Sequence, residues 1–155
     1  MLKWNVGKIA LLTMVLLGMA AMSVLAQDDL DTQRSCTNCG MDRKAYGYSR
    51  MLIRYEDGAM VGTCSLHCAV IELDANPGRT VKALLVADRD ARTLINAARA
   101  IWVMGGTKRG VMTQQPKWAF QSASGAAAFL KANGGKIVTW TEALAATREE
   151  LVQKR

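Results

Sequence analysis

A chain of 155 residues is long enough for one domain, or for two small halves that share a core. Half of its residues are apolar, and 20 basic against 13 acidic side chains give a formal charge of +7. The cationic residues are scattered (Arg34, Arg43, Lys44, Arg50, Arg54, Arg79, Lys108, Arg109, Lys117) and form no basic stripe with interleaved aromatics, so nucleic acid is excluded as a partner.

The N-terminus is a targeting segment. Lys3 and Lys8 precede an uncharged run from Ile9 to Leu25, Ala26 offers a small residue for cleavage, and Gln27-Asp28-Asp29 follows. Basic, then apolar, then small is the layout of a secretory signal over residues 1–26. The same run, kept in place, is a membrane anchor at the short limit of about 17 residues. Both readings put the rest of the chain on the periplasmic or extracytoplasmic side, with membrane association through residues 9–25 in the second. Without residues 1–26 the chain keeps 18 basic and 13 acidic residues, a surface suited to an acidic partner or a lipid headgroup layer.

Residues 27–35 are polar and read as a flexible leader, and 36–152 as the folded, metal-binding domain. Met51, Ile53 and Tyr55 alternate before Asp57-Gly58, so a hairpin is predicted with Ala59–Thr63 as its second arm. Cys64–Ala75 has helical spacing and stops at Asn76-Pro77-Gly78. Val81–Ala87 reads as a buried strand, and Ala91–Met104 is ambiguous between helix and strand. Gly105–Gly110 is a loop and Lys117–Phe120 a short strand. Ser124–Ala132 reads as a helix closed by Asn133-Gly134-Gly135. Ile137–Trp140 is expected as a strand, with Thr141 capping a last helix to about Val152. The fold class is α+β.

Chemistry concentrates in two short motifs, Cys36-x-x-Cys39-x-Met41 and Cys64-x-x-His67-Cys68, which bracket the hairpin. On a helix, Cys64, His67 and Cys68 fall near one face. Three readings compete. Four cysteines in an oxidising compartment can form two disulfides. CxxC with a second close pair also resembles zinc spacing. Thiolates with thioethers are the matched ligands of copper(I). Beyond the targeting segment the methionines are Met41, Met51, Met60, Met104 and Met112. Met51 and Met60 read as core filling, whereas Met41 beside the CxxC and Met112 after the glycine loop are ligand candidates. His67, the single histidine, is a further candidate. Tyr46 and Tyr48 are placed to shield such a site. Arg34, Arg43 and Lys44 are placed to favour thiolate over thiol. There is no phosphate loop, dinucleotide fingerprint or nucleophile elbow, so catalysis is not expected. Beside a structural-zinc interaction module, a periplasmic thiol-disulfide protein is the less favoured alternative, because the CxxC follows a polar leader and not a strand.

The ordered set Cys36-x-x-Cys39-Gly40-Met41, the Asp57-Gly58 hairpin, Ala100-Ile101-Trp102-Val103-x-Gly105, Gly110-Val111-Met112, Ala119-Phe120 and Asn133-Gly134-Gly135-Lys136 resembles the NosL family. These are accessory proteins of nitrous oxide reductase. The resemblance implies two ββα-type halves and a periplasmic copper(I) carrier that supplies a copper-receiving metalloenzyme. It also implies ligand roles for Cys36, Cys39, Met41 and Met112. The chain departs from the family pattern in having no cysteine at the signal cleavage site, and in carrying Cys64-x-x-His67-Cys68 where an aromatic, cysteine-poor segment is expected. Cys64 or Cys68 would then join the set, with zinc the alternative metal.

Overall fold

In the computed structural model, residues 28–153 are described, so the targeting segment lies outside the described residues. The elements are α1 (Asp28–Thr32), β1 (Met51–Tyr55), β2 (Met60–Thr63), α2 (Leu66–Ala75), β3 (Val81–Ala87), β4 (Leu94–Asn96), β5 (Ile101–Met104), β6 (Lys117–Phe120), α3 (Ala123–Asn133), β7 (Lys136–Val138) and α4 (Trp140–Gln153). Among the described residues no helix is long and apolar enough to cross a membrane.

The order yields two halves of one design. In the first, β1 is flanked by β2 and β3, and β4 extends the sheet in the order β2-β1-β3-β4. In the second, β5 is flanked by β6 and β7 in the order β6-β5-β7. Every pairing is antiparallel. Each half is therefore a hairpin, a helix and a returning strand beside the hairpin's first arm, so the α+β class and the paired halves hold.

Alternation along the strands sends side chains to two cores. Met51, Ile53 and Tyr55 of β1 meet Trp102 and Met104 of β5, Ala119 of β6, and Leu66, Ala69 and Val70 of α2 in a core that joins the halves. Trp102 stacks on Trp140 of α4 at 5.4 Å and donates its indole N–H to the Ala97 carbonyl at 2.8 Å. On the opposite face Val103, Trp118 and Phe120 pack under Ala126 and Phe129 of α3. At roughly 1.5–3 kcal/mol for each large apolar side chain, these two cores are the main stabilising term.

Several expectations need correction. The ambiguous stretch 91–104 contains two strands and no helix, because the Asp88 carboxylate accepts the Asp90, Ala91 and Gln121 amides and ties down a turn instead. The last helix is capped by Thr139, not Thr141. The Thr139 hydroxyl accepts the Glu142 amide, and the Glu142 carboxylate accepts the Thr139 amide, a reciprocal capping box that starts the helix at Trp140. Met60 is 42% exposed on the edge strand β2 and fills no core, whereas Met51 is fully buried. The leader expected to be flexible instead forms α1 and buries Asp29.

Candidate metal centre

Burial of Asp29 explains how the site is assembled. Arg43 is fully buried and spends all five guanidinium donors. Nε donates to the Thr63 carbonyl at 3.1 Å, and Nη1 to the Asp29 carbonyl at 3.1 Å and to the Gln33 carbonyl. Nη2 donates to the Asp29 carboxylate and the Met51 carbonyl, both at 2.8 Å. Arg50 completes the group, donating from Nε to Asp29 Oδ2 at 3.0 Å and from Nη2 to Oδ1 at 3.1 Å. One carboxylate thus serves two buried cations, and Arg43 locks α1, the start of β1 and the end of β2 at the residue before Cys64. Position 62 must be glycine, since a Cβ there would lie 2.5 Å from Arg43 Nη1.

The first cysteine pair sits on a knuckle that this lock holds in place. Ser35 and Asp42 form an isolated antiparallel bridge, the Cys36 amide donates to the Met41 carbonyl at 2.8 Å, and the Gly40 amide to the Cys36 carbonyl at 2.8 Å. Gly40 has φ +76°, a conformation glycine adopts without strain. The Thr37 amide donates to the Gly62 carbonyl at 2.9 Å and pins the knuckle on β2. The second pair straddles a helix start. Cys64 precedes the N-cap Ser65 and is not helical, while Cys68 lies in the first turn of α2.

Together these elements gather Cys36, Cys39, Cys64 and Cys68, whose sulfurs all lie within 4.8 Å of one another. All four are free thiols, so neither expected pair is a disulfide here. Cys39 Sγ is 3.5 Å from Cys64 Sγ, which is 3.7 Å from Cys68 Sγ. Cys36, Cys64 and Cys68 are buried, and Cys39 is the partly exposed member. Val111 packs against the cluster from the second half, with Met41, Tyr46 and Tyr48 around it. The tyrosines expected to shield the site do line it.

The thiols differ in acidity. Hydrogen bonding, from Cys68 foremost, pulls Cys64 down to about 6 against the opposing effect of burial. Cys68 is pushed up by its hydrogen bond with Cys64 and by burial. Burial raises Cys39 to about 11, partly offset by the Met41 amide. Of the cations expected to favour thiolates, Arg34 pairs with Asp42 at 2.9 Å at the surface, while Arg43, paired with Asp29, also attracts Cys36 electrostatically.

Of the three expected ligands that are not cysteines, Met41 packs against the four-sulfur group, and His67 and Met112 lie away from it. His67 precedes Cys68 on α2 and therefore points roughly a quarter-turn away, where it lines a cavity of about 20 Å³ with Trp102 and Trp118. Met112 has φ +58° and is 41% exposed, while Val111 takes the inward place. The contribution of Val111 and the Arg43 lock were both missed from sequence, although Gly62, unexplained by any turn in the hairpin, was a signal of close packing.

The donor set suits a soft ion. A tetrahedral thiolate site with metal–sulfur bonds of about 2.3 Å has sulfur–sulfur edges of about 3.8 Å, close to the shorter separations observed here. Four thiols with a thioether alongside match copper(I) equally well by ligand type.

No curated protein matches the sequence. Among solved structures, the crystal structure of the copper chaperone NosL from Shewanella denitrificans matches with a TM-score of 0.55 at 23% identity, covering 70% of this chain and 87% of that one, which supports the fold. The family model described as NosL matches residues 27–147, from the segment that supplies Asp29 to the body of α4, and the chain therefore belongs to the NosL family.

Proposed function

We propose that the chain is an extracytoplasmic copper(I)-binding chaperone that hands copper to a metalloenzyme such as nitrous oxide reductase, and that it is not itself an enzyme. The observation that carries this reading is the convergence of four reduced sulfurs within 4.8 Å, with the Met41 side chain packed at their edge. Cys36, Cys39, Cys64 and Cys68 hold the ion, and Met41 adds a thioether that needs no deprotonation to bind. Export through residues 1–26, or anchoring by them, places the carrier outside the cytoplasm. Cys39 is the exchange position: it is the exposed sulfur, so an incoming ligand reaches the ion there before the buried thiolates let go. Met112, exposed on its loop, is the outlying ligand that meets the acceptor, and His67 lines the small cavity beside Trp102 and Trp118.

Anaerobic titration of the reduced protein with copper(I), in competition with a copper(I)-selective chelator, tests the assignment. One tightly held ion per chain is expected, and Cys36→Ser/Cys39→Ser should weaken it by orders of magnitude. Unchanged affinity in that variant would sink the proposal. The sulfur spacing favours one second reading, a structural zinc site with four cysteine ligands. Zinc retained through purification and not displaced by copper(I) would establish it.

A further inference from the structure

The loop Gly105–Gly110 and the turn after β3 meet beside the cysteine cluster. Between them lies a concavity of about 440 Å³ lined by Tyr48, Arg89, Asp90, Arg92, Lys108 and Trp118. Its floor is aromatic. Tyr48 packs against Trp118 at 5.9 Å and also against the thiol cluster, so the concavity and the cysteines share a wall.

The rim is cationic. Asp90 is the one carboxylate there, and Arg89 engages it. Arg92 and Lys108 are exposed, as is Arg109 next along the loop, and among the described residues none of the three has an ion-pair partner. Lys108 and Arg109 continue round into a second concavity that also contains Met112.

Arg92 is held where it is. Its φ of +60° is uncommon for a residue with a side chain. Its amide donates to the Asp88 carbonyl at 2.9 Å, and its carbonyl accepts from Arg50 Nη1 at 2.7 Å. The buried Arg50–Asp29 pair thereby extends to the rim. Like charges fixed around a recess repel one another and focus a positive field outward.

We propose that this collar docks an acidic protein surface, the face of the copper acceptor, so that Asp and Glu side chains enter the recess while the acceptor's own ligands approach Cys39 and Met112. The proposal rests on the copper-carrier reading of the thiol cluster. Guanidinium groups clasp carboxylates in paired hydrogen bonds, and a recess suits protruding side chains better than a flat bilayer. The aromatic floor is sunken, with Trp118 only 2% exposed, and projects nothing into lipid. Charge complementarity of this kind raises the association rate and fixes orientation.

The test uses the reduced full-length protein without copper, titrated into a labelled polyglutamate peptide and, separately, into phosphatidylserine vesicles. The variant R92N/K108Q/R109Q removes three collar charges, asparagine being chosen because it tolerates positive φ. A control, K82Q/R99Q/K131Q, removes three charges from exposed positions elsewhere. The collar variant should bind the peptide about tenfold more weakly and the control within about twofold, the scale of three exposed charge pairs. Copper(I) affinity should be unchanged in both. Equal loss in the two variants would reduce the effect to net charge and overturn the proposal. So would a collar variant that loses vesicle binding while keeping the peptide, which would assign the surface to a membrane. Peptide results as expected with no copper(I) bound by any variant would uphold the collar and overturn the carrier reading instead.

Discussion

The two halves share a topology and differ where hairpin passes into helix. In the second half the chain runs Phe120-Gln121-Ser122, and the Ser122 hydroxyl accepts the Gly125 amide at 3.1 Å, an ordinary N-cap. In the first half the corresponding run is Thr63-Cys64-Ser65, and the Ser65 side chain makes no cap hydrogen bond. Its hydroxyl lies 3.9 Å from Cys64 Sγ, and the residue in the place of Gly125 is Cys68. The same joint that secures a helix in one half seats sulfur in the other. A cap contributes about 1 kcal/mol, so the first half forgoes a modest local stabilisation. Its compensation is the buried Arg43–Asp29–Arg50 group; among the described residues the second half has a single largely buried ion pair, Lys117–Glu150 at 2.6 Å.

The largest effect should come from breaking that central group. Asp29→Asn leaves two buried guanidinium groups short of their counter-charge and should cost about 3 to 5 kcal/mol in urea unfolding. A loss below about 1 kcal/mol would mean that the lock is not what holds the first half. The Lys117–Glu150 pair, with one cation to one carboxylate, should matter less. Burial works to raise the Glu150 carboxyl, but hydrogen bonds from Lys117 and Thr113 outweigh it and hold the group below its ordinary value. A depressed carboxyl stabilises the fold above its ordinary range and loses that contribution as pH falls through the folded value. Glu150→Gln should therefore cost about 1.5 to 3 kcal/mol at pH 7. The wild-type and variant stabilities should converge below about pH 4. The smallest effect sharpens the comparison most. Ser122→Ala should cost about 1 kcal/mol and Ser65→Ala less than about 0.5 kcal/mol. Equal losses at the two serines would remove the distinction between the joints.

Elements with strong local signals were legible. The Asp57-Gly58 hairpin, the Lys117–Phe120 strand and the Asn133-Gly134-Gly135 stop all lie where periodicity and turn chemistry put them. The 91–104 stretch was not, because a single buried carboxylate, Asp88, decides its path, and no period encodes that. The thiol cluster was half legible: two pairs flanking a hairpin are bound to approach, but the helix was expected to include Cys64 and instead begins after Ser65. Asp29 was read as leader because its two arginines lie 14 and 21 residues further on. Met112 is expected among the ligands from the family resemblance and its place after the glycine loop, whereas its exposed position follows from a positive φ that has no sequence signature.

Asp29 also bears on how the protein can be trimmed. A fragment cut just ahead of Cys36 would keep all four clustered cysteines and still lose the carboxylate on which Arg43 and Arg50 converge. Such a fragment would carry the whole thiol cluster on a scaffold with two desolvated cations at its centre, and failure to load metal would report a collapsed frame, not a missing thiol. The shortest fragment worth loading with metal begins before Asp29.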